Sequence, residues 1–186
     1  MRGKRPGSFE IALSGVSCGI AVLFLSLGIM TGVGPLTSLG YLVGILALML
    51  PLAKQFYRGG FLAYIGTCIL AFVLGAAANF WDLIPFIMFF GLHPLANALQ
   101  IKYKINKWLA FAVKAVWFDC TLLAGYFIVF GGVLGGSVLP AEVYDAINRY
   151  IYLFVFILGT LICLVYDYLI FKCQIMVNGL VSRIKK

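Results

Sequence analysis

Six apolar runs, at residues 9–31, 36–52, 61–78, 83–99, 108–133 and 150–171, take up most of this 186-residue chain. A helix needs about 20 apolar residues to cross a hydrocarbon core about 30 Å thick, so six spans use roughly 120 residues. The remainder suffices for loops and tails but not for a separate water-soluble domain. Hydrophobic residues make up 63% of the chain and charged residues 11%, against about 45–50% and roughly 25% in soluble domains. Such a chain cannot cover itself with polar groups in water. The expected fold is all-α: a polytopic membrane protein with one integral domain over residues 1–186, a bundle of six transmembrane helices. The composition speaks against a large soluble enzyme, a nucleic-acid module and a secreted disulfide scaffold.

Residues 1–8 are short and basic and contain Gly and Pro. The first apolar run is long and no small-residue cleavage site follows it, which reads as a retained helix rather than a removed signal peptide.

The net charge is +8, with 14 Lys and Arg against 6 Asp and Glu. Placing the N-terminus inside and alternating sides puts Arg2, Lys4, Arg5, Lys54, Arg58 and Lys102 on the inner face. Lys104, Lys107, Lys172, Arg183, Lys185 and Lys186 join them. Only Arg149 falls outside, and Lys114 lies within a span. In short loops such a bias orients a membrane protein with its basic side in the cytoplasm. Both termini are therefore expected in the cytoplasm, in the cell membrane, with lipid as the main partner and no nucleic acid.

The five cysteines, Cys18, Cys68, Cys120, Cys163 and Cys173, include no CxxC pair. They read as small apolar side chains, not as a disulfide framework or a zinc site. No HExxH, no paired glutamates and no GxSxG with a partner His are present. The Gly-rich stretch at 131–136 lacks the Lys-Ser or Lys-Thr of a phosphate cradle. The expectation is a non-enzyme without metal or cofactor.

Ionisable residues within a bilayer are costly and mark functional candidates. There are four: His93, Lys114, Asp119 and Asp167. Lys114 lies about seven residues into span five, roughly 10 Å deep at 1.5 Å per residue. Asp119 lies about five residues deeper, near the midplane. His93 and Asp167 sit at a depth similar to that of Lys114, which places the three in one layer. A buried ion pair of Lys114 with Asp167 or Asp119 is the plain expectation, and a proton or ion relay the sharper one.

Span four carries Pro94, which removes a backbone donor and clashes with the Phe90 carbonyl, so a kink is expected there. Gly91 beside it permits close approach of a neighbouring helix. Span one carries two interleaved small pairs, Gly15 with Gly19 and Ser14 with Cys18. Four-residue spacing puts each pair on one face, suited to tight helix packing in lipid, within the chain or against a partner protein. Most aromatics read as interfacial belts. Asn79, Trp81 and Asp82 at the outer end of spans three and four also suit one wall of a ligand pocket, with Trp117 and Tyr126 of span five as further candidates. The loop 134–148, with Pro140, is the expected lid.

Length, six spans, inward termini and the face of Ser14, Gly15, Cys18 and Gly19 after a basic start resemble the substrate-binding S component of energy-coupling-factor vitamin transporters. The family has alanines where this chain has glycine and cysteine. Residues 58–130, with Phe90-Gly91-Leu92-His93-Pro94-Leu95 and Lys114-Ala115-Val116-Trp117-Phe118-Asp119, are similar to uncharacterised bacterial membrane proteins grouped with that family. The resemblance implies an outward-open, vitamin-sized pocket, a transmembrane coupling subunit and two cytoplasmic ATPases, with Ser14, Gly15, Cys18 and Gly19 as the docking face. Two other classes fit the same residues: an envelope scaffold without a ligand, and a stand-alone ion- or proton-coupled carrier using Asp119, Lys114 and His93.

Overall fold

Proline and asparagine mark where several helices begin. The computed structural model describes residues 7–76, 79–128, 145 and 149–183. Helix α1 runs over Ser8–Met30. Helix α2, Gly34–Ala53, has Pro35 in its first turn, where a missing N–H costs nothing. Helix α3, Tyr57–Ala71, continues into a π turn over Phe72–Ala76. Helix α4, Phe80–Pro85, leads into a second π turn, Phe86–Phe90. Helix α5 covers His93–Tyr103 and α6 covers Lys107–Tyr126. The Asn106 side chain caps α6 by accepting the Trp108 N–H at 2.9 Å, as an N-cap residue does. A further π turn, Phe154–Gly159, precedes α7, Thr160–Arg183.

The described residues are helical without strands, and six helical stretches are long and apolar enough to cross a membrane. They match the six apolar runs, except that the last runs further than expected. Span four changes its hydrogen bonding at the expected place: a turn at Gly91 and Leu92, both still right-handed helical, interrupts the regular pattern within Phe80–Tyr103, and α5 starts at His93 with Pro94 in its first turn. Pro94 offers no N–H to the Phe90 carbonyl, and the preceding turn widens. The Gly91 N–H reaches back five residues to the Phe86 carbonyl at 2.8 Å. The last helix runs over Arg149–Arg183, 35 residues, well past the expected end at 171. Residues 172–183 contain no proline and include Ile175, Val177 and Val181. Gln174 within them is fully buried, so this stretch packs as helix rather than trailing as a basic tail.

Contacts divide the chain into two compact units, Met1–Lys104 with Ile170–Lys186, and Ile105–Leu169. In the first unit α1 and α2 form a helical hairpin turned at Thr31, Gly32 and Val33. The Gly28 carbonyl accepts hydroxyls from both Thr31, at 2.7 Å, and Thr37, at 3.0 Å. The helices meet backbone to backbone. A Cβ on Gly28 would lie 2.7 Å from the Leu36 carbonyl oxygen, and one on Gly40 2.6 Å from that of Phe24. Ala21, Leu25 and Ile29 of α1, Leu48 and Met49 of α2, and Leu83, Phe86 and Phe89 form the buried core. Gly91 lies under the Tyr64 ring, 2.7 Å from a would-be Cβ, the close helix approach expected there. The Tyr64 hydroxyl donates to the Ile87 carbonyl at 2.6 Å and ties α3 to the second π turn.

Among the described residues of the second unit, Ala115 and Phe118 of α6, with Ile151, Val155 and Cys163, are the buried apolar residues.

Candidate functional sites in the two units

The small-residue face of α1 divides in two. Ser14 and Cys18 turn toward α3. The Ser14 Oγ lies over Gly59, and Cys18 Sγ sits 3.6 Å from the Thr67 hydroxyl, which itself donates to the Ala63 carbonyl at 2.8 Å. Gly15 and Gly19 are open: among the described residues a Cβ on either meets nothing within 4 Å. Ser14, Gly15 and Cys18 line one wall of an apolar groove of about 490 Å³, with Leu62 and Ala63 of α3 opposite and Glu10 and Arg58 also lining it.

The residues expected to wall a ligand pocket have local tasks. The Asn79 amide donates to the Ile29 carbonyl at 3.1 Å, joining the start of α4 to the end of α1. The Tyr41 hydroxyl donates to the Asp82 backbone carbonyl, which leaves the exposed Asp82 side chain outside that bond. Trp81 is 39% exposed and tilted against the Phe80 ring. Trp117 and Tyr126 are half-buried on α6, in the second unit. The expected lid at 134–148 lies almost wholly outside the described residues, Pro140 and Glu142 included, as do the Gly-rich stretch 131–136 and the terminal basic residues Arg2, Lys4, Arg5, Lys185 and Lys186.

His93 belongs to the first unit, fully buried at the start of α5. Its ring lies 5.1 Å from that of Phe89, and its Nδ1 lies 3.4 Å from Asn97 Nδ2. The other three intramembrane ionisable residues belong to the second unit. Lys114 and Asp167 form an ion pair. Asp119 instead accepts the Thr160 hydroxyl on Oδ2 at 3.0 Å. Among the described residues its Oδ1 is buried with no hydrogen-bond partner. Sequence reasoning did not find Thr160; the signal available was a hydroxyl seven residues before Asp167 on the same helix, two turns away and so on the same side. It also missed Gly40 and Gly44 on α2, a small pair at four-residue spacing like that on α1.

No group of three or more His, Cys, Asp or Glu side chains with metal-binding geometry occurs among the described residues. Comparison of the chain with protein-family models, with curated proteins and with solved structures finds no match in any of the three. The class that fold and sites define is an all-helical chain with six helices able to cross a membrane.

Proposed function

We propose that the chain is a non-catalytic, multi-pass membrane subunit that captures a small organic molecule for a transporter of the energy-coupling-factor kind. In this reading both termini face the cytoplasm, as the basic residues favour, and the outer half of the bundle holds a vitamin-sized ligand near Asn79, Trp81 and Asp82. The open pair Gly15 and Gly19 docks on a transmembrane coupling subunit served by cytoplasmic ATPases. The observation that carries the reading is the division of the α1 face. Ser14 and Cys18 are used within the chain, while Gly15 and Gly19 have no Cβ-range neighbour. In lipid, glycines at four-residue spacing permit the closest helix approach, and among the described residues nothing lies within 4 Å of a Cβ at either glycine. Trp81, partly exposed beside the exposed Asp82, has the mixed aromatic and polar character that suits a solute site.

The experiment has two arms. Mass spectrometry of the gently purified full-length protein should reveal a co-purifying small organic molecule that is lost in Trp81→Ala. The double variant Gly15→Leu, Gly19→Leu should keep its thermal midpoint in detergent but lose any membrane protein recovered with the wild type. A ligand-free wild type overturns capture. A double variant that still recovers its partner overturns docking through this face.

A further inference from the structure

Asp119 uses half of its carboxylate and leaves the other half buried. It lies twelve residues along α6 from Lys107, about 18 Å at 1.5 Å per residue, near the middle of a hydrocarbon core about 30 Å thick. Its side chain is 4% exposed. Oδ2 is held by Thr160 at 3.0 Å, and Oδ1 has no hydrogen-bond partner among the described residues. The ammonium on the same helix, Lys114, is engaged by Asp167. Among the described residues in the spans of this unit, two carboxylates, Asp119 buried and Asp167 largely so, thus accompany one ammonium. A carboxylate at this depth is expensive unless a positive charge meets it.

The backbone beside Asp119 is shaped for close approach. A Cβ on Gly159 would lie 3.0 Å from Asp119 Oδ1, so the missing side chain lets the carboxylate come up to the helix backbone. Gly159 ends the π turn Phe154–Gly159, and Thr160 opens α7 directly after it. Single π turns concentrate at functional sites. Coupling-ion sites in membrane carriers combine acceptor oxygens with irregular helical backbone. The Thr160 hydroxyl can donate to Asp119 and still offer a lone pair to a third atom.

We propose that Asp119 and Thr160, against Gly159, bind a small monovalent metal cation of the Na⁺ class within the membrane. Oxygen donors suit a hard cation, and a single positive charge balances the one carboxylate that Lys114 leaves unmatched. The inference goes beyond solute capture and stands on other residues, in the other unit, so each can be overturned while the other holds.

Thermal melts of the full-length protein in non-ionic detergent test it, at fixed pH and fixed total chloride, with choline replaced stepwise by Na⁺, Li⁺ or K⁺. The wild-type midpoint should rise with the logarithm of the concentration of at least one of these cations, as binding to the folded state requires. Asp119→Asn should abolish the rise. Thr160→Val, which keeps the carboxylate and serves if the Asn variant fails to fold, should raise the half-saturating concentration about tenfold, the loss of one ligand to a charged group. A wild-type midpoint identical in all four salts overturns the proposal. So does a rise that survives unchanged in the folded variants, or a midpoint that follows pH in choline and ignores the metal cations, which would make the bound charge a proton.

Discussion

Lys114 on α6 and Asp167 on α7 form an ion pair across 53 residues of sequence, with side chains only 5% and 14% exposed. Removing one member of a buried pair strands the other charge. Lys114→Met should therefore lower stability in detergent by about 3 kcal/mol. Adding Asp167→Asn should recover part of that loss, while adding Asp119→Asn should recover less, because Asp119 is bonded to Thr160. A double-mutant cycle on thermal or denaturant unfolding measures the difference.

Gly28 and Gly40 should tolerate no larger residue. A side chain at Gly40 meets the Phe24 carbonyl, and one at Gly28 meets that of Leu36. Gly40→Leu should destabilise by at least about 1–3 kcal/mol, the usual cost of overpacking. Gly15→Ala and Gly19→Ala should leave the melting midpoint unchanged, since their Cβ atoms enter open space. Parallel melts of the three variants check both halves.

Asn79→Ala should cost about 1 kcal/mol whether or not a ligand is present, because its amide holds the Ile29 carbonyl. A loss seen only with ligand bound would instead assign Asn79 to recognition. Melts with and without the co-purifying molecule separate the two outcomes.

The proposed orientation predicts opposite labelling at the two ends of one span. On a background lacking the five native cysteines, an impermeant thiol reagent should reach Asp82→Cys in intact cells. It should reach Lys104→Cys only after the membrane is opened. The reverse pattern inverts the topology.

The spans were legible because a bilayer demands length and apolarity, and both are written directly in the sequence. The Lys114–Asp167 pair was legible for a related reason: charge at that depth needs a partner, and few were on offer. The helix faces were not legible. In a soluble helix, polar residues mark the side turned to solvent. Here Leu23, Leu27 and Val16 of α1 are exposed while Leu25 and Ile29 are buried, and nothing in their chemistry distinguishes them, because lipid is as apolar as the core. The hairpin contact through Gly28 and Gly40 was hidden for that reason, since Gly15 and Gly19 look the same in the sequence. The end of the last helix was not legible either: the basic Lys172 marks where the hydrocarbon ends, and a helix has no need to end there.

The α1–α2 contact has a consequence for how this sequence tolerates change. A seam made by the absence of atoms at Gly28 and Gly40 has no better version: substitution there can only push the two backbones apart. Positions such as Leu23, Leu27 and Leu42, exposed on the same two helices, touch no such constraint and should exchange freely among Leu, Ile, Val and Phe. In a saturation library selected for membrane-inserted protein, the hairpin should emerge as two nearly invariant glycines in a field of interchangeable apolar residues.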